Sequence, residues 1–86
     1  MSQLLQEHVI VITGASSGIG AALARLVASQ GACVVLAARG LDALEDVAAA
    51  CGGKGRAIAV RCDVTIKKDV EHLLAAALAE FGKVRI

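Results

Sequence analysis

Three glycines, Gly14, Gly18 and Gly20, follow an apolar run near the start of the chain and are spaced four and two residues apart. Gly14 permits a tight turn, Gly18 leaves no Cβ between the backbone and a bound pyrophosphate, and Gly20 lets a following helix pack close to a sheet. A helix that begins there directs free N–H groups and the positive end of its dipole toward the phosphates. The spacing therefore predicts a phosphate-binding turn, and the alternative is a glycine turn with a purely structural role.

A second candidate is Arg39, which follows another apolar run about 20 residues beyond the glycine turn. Proteins that bind NAD carry a carboxylate at this point, where it binds the ribose. Here Ala37 and Ala38 precede Arg39, and no acidic residue is present. A guanidinium can instead bind a 2′-phosphate through paired, charge-assisted hydrogen bonds. We therefore predict NADP over NAD as the cofactor, and the alternative is a solvated surface arginine.

The composition of the 86 residues excludes several other classes of protein. With 57% hydrophobic and 20% charged residues, the chain is too apolar for disorder and long enough for one small domain. A net charge of +1 and a single aromatic residue argue against nucleic-acid binding, and no apolar run reaches the roughly 18 residues of a membrane span. The three cysteines form no C-x-x-C pair, which argues against a disulfide framework or a metal site. We expect a cytoplasmic protein.

Apolar periodicity divides the chain into alternating strands and helices. Strands are predicted at 9–12, 33–37 and 57–62. Three helical stripes follow them: Ile19, Leu23, Leu26 and Val27; Leu41, Leu44, Val47, Ala48 and Cys51; and Val70, Leu73, Leu74, Ala77, Leu78 and Phe81. Gly31 and Gly82 stand where the first and third helices should end. Residues 83–86 resemble the start of a fourth strand.

A β-α-β-α-β-α order requires crossover connections, so the predicted fold is α/β: a Rossmann-like, partial doubly wound parallel sheet, in which 1–86 form the N-terminal part of a single domain. In such a sheet the first three strands lie in the order 3-2-1, and the fourth pairs with the far side of the first. Because the fourth strand is only a stub here, we expect the first strand to expose an apolar edge. Self-association, or pairing with a full-length relative, would cover that edge.

The chain resembles the short-chain dehydrogenase/reductase family, whose T-G-x-x-x-G-x-G motif is matched at Thr13, Gly14, Gly18 and Gly20. Similar matches occur at Cys62-Asp63-Val64-Thr65 and Glu80-Phe81-Gly82-Lys83-Val84. The resemblance covers the whole chain but only about the first third of such an enzyme. It implies that Asp63 binds the adenine amino group, that the backbone of Val64 meets the ring, and that Ser16 is a second phosphate contact. The implied cofactor-binding residues are Thr13, Gly14, Ser16, Ser17, Gly18, Ile19, Gly20, Arg39, Asp63 and Val64.

The groups that carry out the family's chemistry lie beyond this stretch of sequence. The family transfers hydride between a nicotinamide cofactor and a carbonyl or alcohol, using a Tyr, a Lys, a Ser and an Asn that come later. This chain contains no Tyr and no Asn at all. The resemblance thus implies an NADP-binding N-terminal segment that is inactive alone. The alternatives are a non-enzymatic half-domain that pairs with a full-length relative and an inactive gene fragment.

Overall fold

The computed structural model describes residues 8–16, 18–53 and 55–82, and its elements alternate between strand and helix. In chain order they are β1 Val9–Thr13, α1 Gly18–Ser29, β2 Cys33–Ala38, α2 Leu41–Ala50, β3 Ala57–Arg61 and α3 Lys67–Phe81. The predicted element order is confirmed, and each strand ends within one residue of its predicted end. The predicted fourth strand at 83–86 lies outside the described residues.

The three strands form one parallel sheet in the order β1-β2-β3, with β2 in the middle. Val11 of β1 pairs with Val35 of β2, which in turn pairs with Ile58 of β3. Residues 34–38 of β2 are all buried, as expected when helices cover both faces of a parallel sheet. The predicted α/β class is therefore correct, and the carboxyl ends of the strands meet at one edge of the sheet.

Each face of the sheet has its own apolar core. On the face covered by α1 and α2, Leu36 of the central strand and Leu44 of α2 are fully buried. On the opposite face, α3 contributes Leu73 and Ala77 to a core that includes Val35. Neighbouring residues of a strand point to opposite faces, so Val35 and Leu36 belong to different cores. Helices packed on both faces hold the strand ends, and the loops that follow them, in place.

Helix α1 contacts the sheet through alanines and not through its larger side chains. Its buried residues are Ala21, Ala24 and Ala28. In the stripe predicted from the sequence, the exposed fractions are 88% for Ile19, 45% for Leu23 and 58% for Leu26, and only Val27 packs against the core. The helix was predicted correctly, but its large apolar side chains do not form the face that meets the sheet.

The physical reason is the close approach of α1 to the turn that precedes it. A Cβ on Gly20 would overlap the carbonyl oxygen of Gly14 and lie 3.0 Å from its carbonyl carbon. A helix held this near to the end of β1 has room only for methyl groups between itself and the sheet. Alanines therefore fill the layer beneath α1, and the larger side chains lie on its outer surface.

The end of α1 is tied to the loop before β3 by Arg56. Its Nη2 atom donates hydrogen bonds to the carbonyl oxygens of Ala28, at 3.0 Å, and Ala32, at 3.3 Å. Ala28 lies in the last turn of α1, where carbonyl groups lack helical partners and carry the negative end of the helix dipole. Since α1 has no basic residue in its own last turn, Arg56 supplies that cation from a distant part of the chain.

Candidate functional site

A cleft of about 560 Å³ lies at the edge where the carboxyl ends of the three strands meet. In open α/β sheets this is the edge at which ligands bind. The residues that line it come from the ends of β1 and β2 and from the loops after the three strands: Thr13, Gly14, Ser16, Ala37, Ala38, Arg39, Gly40, Cys62, Asp63, Val64 and Thr65. Six of the ten residues that the sequence predicted for the site are among them: Thr13, Gly14, Ser16, Arg39, Asp63 and Val64.

The glycine turn has a backbone that side-chain-bearing residues rarely adopt. Gly14 and Gly18 have φ angles of +65° and +59°, in the left-handed region, and a Cβ on either would meet no atom within 4 Å. Both positions therefore border open space. The turn is anchored to the central strand, because the Ala15 N–H donates a 3.2 Å hydrogen bond to the carbonyl oxygen of Ala37. Ser17, a predicted site residue, lies outside the described residues.

Gly18, Ile19 and Gly20 form the first turn of α1 and do not line the cleft themselves. This first turn carries no acidic residue, whereas α2 and α3 carry Asp42 and Asp69 in theirs. No side-chain carboxylate of that turn therefore neutralises the positive end of the α1 dipole, which is suited to an anion such as a phosphate.

Two hydrogen bonds to main-chain carbonyls join the carboxyl ends of β2 and β3 and the residues that directly follow them. The Cys62 N–H donates to the oxygen of Ala38 at 2.9 Å, and Arg61 Nε donates to the oxygen of Arg39 at 3.2 Å. The Arg39 side chain is exposed and borders the cleft. Arg61 brings a second guanidinium to this edge of the sheet, and it was not predicted from the sequence as a site residue.

Asp63 is the most constrained polar residue of the cleft. Its Oδ1 atom accepts hydrogen bonds from the Thr65 N–H at 2.9 Å and from the Thr65 hydroxyl at 2.6 Å. These two bonds hold the pKa of the Asp63 carboxyl below its usual value, and the positive charges of Arg39 and Arg61 add to the effect. Asp63 is therefore a carboxylate at neutral pH, beside the two guanidinium groups of this edge.

Two partners of Asp63 were not identified from the sequence. Thr65 stands two residues after Asp63, a spacing typical of an Asx turn, so this contact could have been found. Asp69 accepts a 3.0 Å hydrogen bond from the Asp63 N–H through Oδ2. No short sequence motif predicts a contact of that kind. Cys62, a neighbour of both acids, has its thiol pKa raised by burial and by their negative charges.

Two negative findings apply to residues 8–16, 18–53 and 55–82. Within these ranges no three His, Cys, Asp or Glu side chains come together as a set that could hold a metal ion. No helix within them is long and apolar enough to cross a membrane. All three cysteines are free, Cys51 and Cys62 being buried and Cys33 partly so.

A parallel sheet with a glycine-rich first turn and a cleft at its carboxyl edge defines the class of dinucleotide-binding α/β proteins. Comparison with known proteins agrees: the model of the short chain dehydrogenase family matches residues 8–86. A curated relative, cis-4-hydroxycyclohexanecarboxylate dehydrogenase of Sinomonas cyclohexanicum, is 48% identical over 89 aligned positions, covering 100% of this chain and 34% of the relative. The chain belongs to the short-chain dehydrogenase/reductase family.

Solved structures show the same likeness. A 3-ketoacyl-(acyl-carrier-protein) reductase from Brucella melitensis, complexed with NADH, superposes with a TM-score of 0.88 at 41% identity, over 93% of this chain and 32% of that one. A glucose dehydrogenase of Caenorhabditis elegans in its apo form gives 0.88 at 34% identity, over 94% and 36% of the two chains. The chain thus spans about a third of the length of these relatives.

Proposed function

We propose that this chain is the NADP-binding, N-terminal part of a short-chain dehydrogenase/reductase, and that residues 1–86 form the N-terminal part of a single dinucleotide-binding domain without its catalytic part. The observation that carries the proposal is the cleft itself. It brings together a glycine turn with open space around it, an arginine at the end of the central strand, and a carboxylate after the third strand. These groups suit a pyrophosphate, a phosphorylated ribose and an adenine in that order along the strand ends.

In this proposal the pyrophosphate lies against the glycine turn and the first turn of α1. The residues proposed to bind it are those predicted from the sequence: Thr13, Gly14, Ser17, Gly18, Ile19 and Gly20. The positive φ angles of Gly14 and Gly18, and the absence of an acid at the start of α1, support that position. Asp63 and Val64 receive the adenine, and Val64, which lines the cleft, is 59% exposed. A bound nicotinamide cofactor would carry the hydride of the family's reaction, and the residues named here would bind and orient that cofactor.

The preference for NADP over NAD rests on the end of β2. A carboxylate there would bind the ribose hydroxyls of NAD and repel a 2′-phosphate. The chain has Ala38 and Arg39 instead, with Ser16 on the same cleft as a second phosphate contact. A guanidinium pairs with a phosphate through two parallel hydrogen bonds. A similar structure is a complex with NADH, so the preference has to be measured on this chain.

Calorimetric titration of the chain with NADPH and with NADH tests the assignment. We expect tighter binding of NADPH, and we expect Arg39→Asp to reverse the order because the new carboxylate repels the 2′-phosphate. Arg25→Asp, the same change of charge on the exposed surface of α1, should leave the preference as it is. Equal affinity for the two dinucleotides, or an Arg39→Asp variant with an unchanged preference, would contradict the proposed role of Arg39.

The proposal assigns no hydride-transfer activity to this chain alone. The family's reaction needs a tyrosine as its acid and base, and the sequence contains none. The purified chain should therefore show no turnover of carbonyl or alcohol substrates with NADPH or NADP. A cytoplasmic location completes the proposal and is supported by the three free cysteines, which are typical of reducing compartments.

A second candidate function, pairing with another chain, is favoured by one specific feature. Among the described residues β1 is hydrogen-bonded to β2 only, so its outer edge has no strand beside it. In the helical layer that packs on one face of the sheet, Leu23 and Leu26 of α1 are 45% and 58% exposed. An uncovered apolar strand is the kind of edge that proteins normally protect. We propose that a second copy, or a full-length relative, covers β1 and the outer side of α1.

Light scattering combined with circular dichroism tests this pairing. We expect the isolated chain to be larger than a monomer and Leu26→Lys to shift it toward the monomer. Leu78→Lys is the matched control, because Leu78 is 51% exposed on α3, which covers the opposite face of the sheet. A monodisperse wild-type monomer with a cooperative thermal transition above about 50 °C, the ordinary range of small domains, would rule out pairing between two copies.

A further inference from the structure

The carboxylate of Asp69 faces back from helix α3 to the cleft residue Asp63. Asp69 is the third residue of α3, and its Oδ2 atom accepts the Asp63 N–H at 3.0 Å. This hydrogen bond spans six residues and is partly buried. It joins the first turn of the helix to the residue directly after Cys62, so the loop between β3 and α3 is closed at its base.

An acid at the third position of a helix ordinarily binds the N–H of its own N-cap residue. The N-cap of α3 is Ile66, and the Ile66 N–H already donates to the carbonyl oxygen of Asp63 at 2.9 Å. The N-cap amide is thus satisfied by another acceptor, and the Asp69 carboxylate binds the Asp63 N–H instead. The contact with Asp63 is therefore a specific feature of this loop.

The remaining hydrogen bonds of Asp63 fix the orientation of its own carboxylate. Both bonds from Thr65 end on Oδ1. A carboxylate oxygen has two lone pairs, so Oδ2 keeps its capacity to accept from a ligand. Asp69 holds the main chain of Asp63, and Thr65 holds one side-chain oxygen. Together these bonds leave Oδ2 of Asp63, a residue that lines the cleft, able to accept a hydrogen bond from a ligand.

We infer that Asp69 is a positioning residue for recognition of the nucleotide base, and that it acts by holding Asp63 so that Oδ2 accepts the exocyclic amino group of adenine. The inference rests on the proposed dinucleotide site. It adds a determinant of base selectivity on α3, which does not itself line the cleft. Without Asp69 the Asp63 N–H loses its acceptor, and the loop no longer holds the carboxylate in one position.

The test compares NADP with its hypoxanthine analogue, in which a carbonyl oxygen replaces the amino group. Against a carboxylate, this exchange turns a hydrogen bond into a contact between two acceptors. Because hydrogen bonds to charged groups are stronger than neutral ones, we expect the wild-type chain to prefer NADP by about tenfold. In Asp69→Ala this preference should fall to about threefold or less, while the affinity for the analogue changes little. Asp69→Asn, which keeps an oxygen acceptor, should lie between the two.

Glu71→Ala, which removes an exposed carboxylate from the same helix, is the control and should keep the wild-type preference. The ¹⁵N–¹H resonance of the Asp63 amide reports the hydrogen bond directly and should move in both Asp69 variants but not in Glu71→Ala. An undiminished preference for NADP in a folded Asp69→Ala or Asp69→Asn variant would overturn the inference alone. Failure of the wild-type chain to bind either dinucleotide would overturn the proposed function and this inference with it.

Discussion

Replacing Gly20 by alanine is the sharpest test of how closely α1 approaches the glycine turn. The new Cβ would overlap the carbonyl oxygen of Gly14, and it would lie 3.0 Å from the Gly14 carbonyl carbon and 3.1 Å from the Ala15 Cα. All three neighbours are main-chain atoms, so none can move away by rotating a side chain. The overlap can be removed only if α1 and the turn move apart by at least a few tenths of an ångström.

The expected change in the free energy of unfolding is the sum of two opposing contributions. Overpacking of this kind costs about 1–3 kcal/mol, and rigid backbone neighbours favour the upper part of that range. Alanine is the better helix former by about 1 kcal/mol, which offsets part of the cost. We therefore expect Gly20→Ala to lower the free energy of unfolding by about 1–2 kcal/mol. For a domain of this size that corresponds to a decrease in Tm of roughly 4–16 °C.

Urea and thermal unfolding followed by circular dichroism measure the loss, and titration with NADPH should show weakened binding in the same variant. Gly40→Ser is the matched control. A Cβ at position 40 meets nothing within 4 Å, the backbone φ of −99° suits any residue, and serine is a favoured N-cap for α2. Gly40→Ser should be as stable as the wild type or slightly more stable. A Gly20→Ala chain with wild-type stability would refute the argument.

Two further predictions concern stability. Arg56→Ala should lower the free energy of unfolding by about 1 kcal/mol, since it removes the hydrogen bonds to the carbonyl oxygens of Ala28, in the last turn of α1, and Ala32, in the loop before β2. Arg56→Lys should restore part of this stability in the same denaturation assay. An Arg56→Ala variant as stable as the wild type would show that the cation does not stabilise the helix. The pKa of Asp63 is lower in the folded chain than in the unfolded one, so its contribution to stability is present above about pH 4 and is lost as the pH falls through the folded pKa. Thr65→Val, which removes the hydroxyl donor, should reduce the acid-induced loss of stability below about pH 4. An identical loss in both proteins would contradict the cause assigned to the lowered pKa of Asp63.

The order of elements could be predicted because apolar runs and helical stripes alternate clearly along the chain. The face of α1 that packs against the sheet could not be predicted from the sequence. Hydrophobicity alone favours Ile19, Leu23 and Leu26 as the buried face, whereas the structure buries alanines there. The distance between helix and sheet decides which side chains fit between them, and that distance is set by a contact between Gly20 and Gly14. Amphipathic periodicity carries no information about such a distance.

The candidate site divides in a similar way. The glycine turn, Arg39 and Asp63 were predictable because each stands directly after a strand in a parallel sheet, and all such positions meet at one edge. The side chains that hold Asp63 in place were not predicted from the sequence. Asp69 lies beyond the loop on α3, and its contact depends on Ile66 having already used its own N–H for another bond. Competition between neighbouring acceptors is decided by geometry.

The way in which residue 39 is anchored bears on how cofactor preference can change. Arg39 is held through its carbonyl oxygen, which accepts the bond from Arg61, while its side chain is exposed at the cleft. Any amino acid provides that carbonyl. Substitutions at position 39 can therefore exchange a cation for a neutral or acidic group while the loop keeps its shape. The main chain of residue 39 thus stabilises the loop, while its side chain is left to meet a ligand. On the proposed role of Arg39, selectivity for a ribose or its phosphate can therefore evolve, or be engineered, at little cost in stability.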